Sequence, residues 1–313
     1  MVTLARTTDR LYWGARYVER AEDTARIIRA YAELVADYPS RELLSWEPLA
    51  AIHGSPLHAD VPVGDPAAEK TVMHLVVVDA DNPSSIAASI EAARANLRTT
   101  REVMPREAWQ AVNQLSQYVE ATAPVVVERR LRDHFLLRVI EISRRLDGIL
   151  ESTMTRSDEY RMLRLGRLVE RADMTTRVLG VRAATLLSLP AGAVDEFAEV
   201  QWMGVLRSLS ALQMYQRAVH GPIDGIAVVR FLLGHRSFPR SVRCCFDEIR
   251  AVLAALPRSD AVIAAVDEAD RVLAAAAPVE IAGAQLDRAM DSVQVAITGL
   301  SAAIHGTYVE SVI

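Results

Sequence analysis

Arginine and glutamate recur together at helical spacing in two places along the chain. Arg10-Leu-Tyr-Trp-Gly-Ala-Arg16-Tyr-Val18-Glu19-Arg20-Ala21 is echoed 151 positions later by Arg161-Met-Leu-Arg-Leu-Gly-Arg167-Leu-Val169-Glu170-Arg171-Ala172. The match continues through Thr24 with Thr175 and Arg26 with Arg177. On a helix, Arg16 and Glu19 are neighbours at i,i+3 and Glu22 and Arg26 at i,i+4; the second copy keeps both pairs, as Arg167 with Glu170 and Asp173 with Arg177. An exposed pair of this kind contributes only about 0.2–0.5 kcal/mol. Gly14, Ala21 and Ala25 form a small-residue seam beside these charges, so the charges are expected to be partly buried between helices, where pairing becomes compulsory. Three chemistries fit: an interhelical ion network, an anion-binding cleft where Arg16, Arg20, Arg26, Arg167, Arg171 and Arg177 converge, or acid–base work by Glu19 or Glu170.

Two further places offer chemistry. Asn82-Pro83-Ser84-Ser85 and Phe238-Pro239-Arg240-Ser241 read as helix starts, the first with Asn82 as cap and proline in the first turn. Exposed backbone N–H groups at such ends can receive a phosphate or carboxylate, which makes Ser84, Ser85, Arg240 and Ser241 candidate anion contacts, although every helix needs a cap. Glu19-x-x-Glu22 and Glu170-x-x-Asp173 supply carboxylates, but no histidine follows at di-iron spacing and the seven histidines form no ligand cluster, so no metal is expected. Cys245, aligned with Ser89, has no local base and reads as core. Neither G-x-x-x-x-G-K-[ST] nor G-x-G-x-x-G occurs, and no cofactor is expected. The catalytic residues, if there are any, are not identifiable.

These residues are expected to lie on helices. Apolar residues step by three and four nearly everywhere, predicting helices near 8–36, 41–53, 69–79, 84–103, 106–121, 126–153 and 158–188, then 195–218, 223–234, 240–256, 259–276 and 280–305. Val76-Val77-Val78 fits a strand or a buried helical turn, and residues 54–68 read as a loop. The four tryptophans sit at helical positions as packing anchors. Beyond the first motif the repeat offset becomes 156, matching Trp46 with Trp202, Pro83 with Pro239, Ser85 with Ser241, Ile86 with Val242 and Arg94 with Arg250. The expected fold is all-α, with two duplicated helical halves, 1–155 and 156–313, packed about a pseudo-twofold axis as one compact unit.

Composition narrows the setting. A chain of 313 residues with 51% hydrophobic and 24% charged residues is globular rather than disordered. Its net charge of −5 has the wrong sign for a protein that neutralises phosphate backbones, so no nucleic-acid partner is expected. Lys70 is the sole lysine. The two adjacent cysteines exclude a disulfide scaffold and fit a reducing compartment. No apolar leader or membrane-spanning window is present, and the cytoplasm is the expected location.

Arg10 to Arg26, Asn82-Pro-Ser-Ser-Ile86, Leu163 to Asp173 and Phe238-Pro-Arg-Ser-Val242, in that order, resemble the motifs of the bacterial alpha-E domain family across essentially the whole chain. Gly14-Ala15 departs from the resemblance, where a bulkier residue followed by glycine is expected. The resemblance implies an all-helical protein encoded or fused beside circularly permuted ATP-grasp proteins, often with transglutaminase-like peptidases nearby. It implies a supporting role, as partner or substrate-presenting subunit of a peptide or amide ligase. The competing readings are a stand-alone enzyme or binding protein for a carboxylate- or phosphate-bearing metabolite, using an Arg/Glu cleft between the halves, and a structural oligomer subunit.

Overall fold

The computed structural model describes residues 5–37, 46–53, 66–127, 129–183, 198–276 and 284–310. Among them the regular structure is helical throughout, as the periodicity predicts. The chain divides into two compact units, Met1–Arg167 and Leu168–Ile313.

The first unit is built on α1 (Ala5–Asp37), a 33-residue helix free of proline. It is followed by α2 (Glu47–Ile52) and by α3 (Pro66–Met73), which continues into a wide turn at His74–Val78. Next come α4 (Ile86–Arg98), α5 (Arg106–Thr122) and α6 (Arg129–Thr153). α1 packs on α4 and α6, while α5 packs on α4 and α6. α7 (Asp158–Val178) runs through the division between the units and ends in a second wide turn, Leu179–Ala183. In the second unit α8 (Ala198–Ser208), α9 (Leu212–Ala218) and α10 (Gly225–Gly234) lead to α11 (Val242–Leu253), α12 (Asp260–Ala276) and α13 (Ala284–Tyr308). α12 packs between α11 and α13. The helices α4, α5 and α6 are 13, 17 and 25 residues long, and α11, α12 and α13 are 12, 17 and 25.

Glycine decides two helix contacts. A Cβ on Gly14 of α1 would meet the Leu97 side chain of α4 at 2.6 Å, so Leu97 fills the volume that a bulkier residue would take. The second copy has the opposite order, Leu165-Gly166. A Cβ on Gly166 of α7 would lie 2.2 Å from the Tyr12 carbonyl oxygen of α1, a backbone approach that only glycine allows.

Several expectations need correction. The helix expected over 195–218 is broken at 209–211. Ser210 takes the left-handed conformation (φ 51°), the Ala211 N–H bonds to the Leu206 carbonyl at 2.7 Å, and the Ser210 N–H bonds to the Arg207 carbonyl at 3.0 Å. That is a Schellman ending with serine where glycine is usual, so the sequence carried no stop signal. The helix expected over 84–103 ends at Arg98, and Arg101–Val103 forms a separate 3₁₀ turn. Pro66 opens α3, so 66–68 are helical rather than loop; proline suits a first helical turn because its missing N–H would have no partner there. The three valines 76–78 belong to a buried helical turn, not a strand. Residues 54–65 of the expected loop, and the predicted helical stretches 41–45, 184–188, 195–197 and 280–283, lie outside the described residues.

Candidate functional site

The first motif copy lies on α1, where Arg16, Glu19, Glu22, Asp23 and Arg26 are all buried, Glu19 to 1% exposure. Burial of this degree forces ionised groups to find partners. The Glu22 Oε1 accepts from Nε of Arg144 on α6 at 3.2 Å and lies 3.8 Å from Nη2 of Arg26. Arg26 also pairs with Asp23 one turn before it. On α6, one turn beyond Arg144, Asp147 pairs with Arg167 of α7 at 2.5 Å. Carboxylate oxygens of Glu19, Glu22 and Asp147 lie within 4.8 Å of one another. Three carboxylates so close also resemble the oxygen set of a divalent cation. Here, however, Arg144 and Arg26 hold Glu22 and Arg167 holds Asp147, and the arrangement is an ion-pair network joining α1, α6 and Arg167 in the middle of α7.

Glu19, Asp147, Tyr160, Arg164 and Arg167 line a cavity of about 20 Å³ beside this network, together with Ala15, Val18, Leu97, Leu146, Leu150 and Leu163. That is room for about one water molecule. Arg16 is stacked over Trp13, its guanidinium 4.8 Å from the ring centre, and Arg20 over Tyr17 at 5.5 Å, so both cations meet aromatic faces.

In the second unit Glu170 is fully buried and Asp173 nearly so, with Arg177 donating through Nε to Asp173 at 2.9 Å, the pairing that the spacing predicts. Thr175 donates to the Arg240 carbonyl at 2.9 Å, tying α7 to the segment before α11. Arg171 lies close enough to Cys244 for its charge to be felt there.

The two helix starts are constructed alike. The caps are Ser85 and Ser241, each accepting from the backbone three residues on, Ala88 N at 3.0 Å and Cys244 N at 3.1 Å. Asn82, expected as a cap, instead accepts from the Ser84 N–H and donates to the Leu75 carbonyl; the helix begins only after the Pro83-Ser84 turn, which puts Asn82 too far back. Ser89 and Cys245 face Pro83 and Pro239 carbonyls at 3.4 and 3.5 Å. Serine hydroxyls thus occupy N–H groups that an anion would need.

Burial, followed by the charges of Glu248 and Asp247, pushes the Cys244 thiol up to about 11, and Cys245 is fully buried. Such thiols are inert as nucleophiles. Neither should react with a thiol-exchange reagent at pH 8 in the native protein, whereas both should react in urea, as absorbance titration would show.

A larger concavity lies elsewhere in the first unit, about 300 Å³ between α1, α3 and α6 and walled in part by Trp46. Glu69, buried, accepts from Nε of Arg129 at 2.9 Å and from Nη1 of Arg132 at 2.6 Å. Burial would raise its carboxyl, but these hydrogen bonds and the two arginine charges overturn that and hold it below its ordinary value. The sequence reading missed this group, along with Arg144 and Asp147. Arg129 and Arg132 do lie one turn apart on one helical face, but nothing in sequence joins them to Glu69, which is 60 positions away from Arg129.

A family model described as "a predicted alpha-helical domain with a conserved ER motif" matches residues 3–309. The Glu-Arg dipeptides 19–20 and 170–171 stand in the two motif copies. Uncharacterized proteins of Mycobacterium bovis and of two Mycobacterium tuberculosis strains, CDC 1551 and H37Rv, are each 23% identical over 275 residues. These alignments cover 82% of this chain but only 30% of each relative. No solved structure matches. No described helix is long and apolar enough to cross a membrane.

Proposed function

The chain belongs to the Alpha-E family, and from that premise we propose that it is a non-catalytic helical partner, or substrate-presenting subunit, of an ATP-grasp-type peptide or amide ligase system. The observation that carries this reading is the burial of the first Glu-Arg motif. Glu19 is 1% exposed and borders a cavity of about 20 Å³. A catalytic carboxylate must come within hydrogen-bond reach of a substrate, and a cavity that admits one water admits no metabolite. The motif is therefore read as framework for a surface that acts elsewhere. Two further points support reading it as a module of a larger assembly. The matched region makes up only 30% of each mycobacterial relative, and the neighbourhood implied by the family resemblance contains ligases and peptidases. The repeated helix lengths and matching cap geometry support reading the module as two copies of one helical unit.

Tagged protein retained from the native host should bring down an ATP-grasp-like protein, identified by mass spectrometry and confirmed by binding of the two purified proteins. Absence of any ligase under conditions that preserve the fold, or turnover of a metabolite by the purified chain alone, overturns the reading.

A further inference from the structure

The 300 Å³ concavity of the first unit stands at the lower bound of small-molecule pockets, about 300–1,000 Å³, and is separate from the motif network. One wall is apolar: Val35 and Ala36 of α1, Leu136 of α6, and the Trp46 ring, held edge-on to Tyr31 at 4.9 Å between centres. Its polar groups fall into two sets of opposite excess charge. Glu69 is shared by Arg129 and Arg132, two guanidiniums on one carboxylate, which leaves a net positive charge. Arg29 is shared by Asp133, at 2.7 Å, and Glu33, at 3.5 Å, one guanidinium between two carboxylates, which leaves a net negative charge.

The positive set is held rigidly and has capacity to spare. Arg132 is 6% exposed, donates to Glu69 and to the Val127 carbonyl, and lies over the Trp46 ring at 5.9 Å. Its buried Nε has no hydrogen-bond acceptor among the described residues. Arg129, 63% exposed, bonds Glu69 through Nε and Nη2, and among the described residues its Nη1 has no acceptor, which leaves it to receive a carboxylate. In the negative set Asp133 and Glu33 are 69% and 43% exposed, available to an ammonium group.

We propose that this pocket binds a zwitterion with an apolar body, of the size and chemistry of a dipeptide. Its carboxylate would lie on the outer edge of Arg129, its ammonium against Glu33 and Asp133, and its side chains on Trp46 and Leu136. The inference rests on this pocket alone and is independent of the ligase reading.

Calorimetric titration of the full chain with L-leucyl-L-leucine, and with the same peptide acetylated at one end and amidated at the other, tests it. Saturable binding of the free dipeptide with a dissociation constant below about 1 mM is expected, at least tenfold weaker for the capped peptide. Arg129→Gln, at an exposed side chain, should weaken the free dipeptide at least tenfold. If that variant does not melt like wild type, Glu33→Gln at the rim replaces it, with the same loss expected through the ammonium end. Equal affinity for both peptides, binding unchanged in the folded variants, or no saturation up to about 10 mM would each overturn the proposal.

Discussion

Truncation of Glu22 to alanine is expected to lower the melting temperature by about 5–15 °C, a loss of about 2–4 kcal/mol at roughly 2–4 °C per kcal/mol for a unit of this size. Removing one member of a buried ion pair typically costs about 3–5 kcal/mol, because the surviving charge stays desolvated. The figure here is set lower because Arg144 is 55% exposed and can turn to water. Arg26 cannot do so at 6% exposure, but it keeps Asp23. Glu22→Gln preserves the volume and one hydrogen bond and should lose about half as much. In a double-mutant cycle, Arg144→Ala should cost much less in the Glu22→Ala background than alone, since the two groups share one interaction. Additive losses would mean that the 3.2 Å contact carries no coupling.

Gly166→Ala should also destabilise, by a different cause. The new Cβ would stand 2.2 Å from the Tyr12 carbonyl oxygen, and that neighbour is backbone, which cannot rotate aside. α7 must then move off α1, disturbing the Arg167–Asp147 pair one residue on. Overpacking of this kind costs about 1–3 kcal/mol, and more where rigid elements meet. Helix propensity acts in the opposite direction by about 1 kcal/mol. Gly148→Ala on α6 isolates that opposing effect, because its Cβ would meet nothing within 4 Å; it should raise stability slightly. Urea unfolding of both variants should therefore show midpoints displaced in opposite directions.

The all-helical class could be read from sequence because three-and-four periodicity is a property of each segment by itself. Burial of the motif charges could be read too, since a small-residue seam beside Glu19 and Glu22 leaves them nowhere to go but between helices. What the sequence hid were partners supplied from distant helices. Nothing in the pattern of α6 marks Arg144 and Asp147 as companions of α1, and Glu69 meets Arg129 and Arg132 only through packing. The stop at Ser210 was hidden for a different reason, because its left-handed turn is made by serine and held by backbone hydrogen bonds rather than by a glycine signal.

On the proposed function, the Glu-Arg motif serves the fold and not the chemistry. Melting temperature and capture of the proposed ATP-grasp-like partner per folded molecule, measured together for Glu19→Gln and Glu170→Gln, decide whether it does. Glu19 is 1% exposed and Glu170 fully buried. Both variants should melt lower while capture by the folded fraction stays at the wild-type level. Variants that melt like wild type yet capture no ligase would contradict it and place the motif at a working surface.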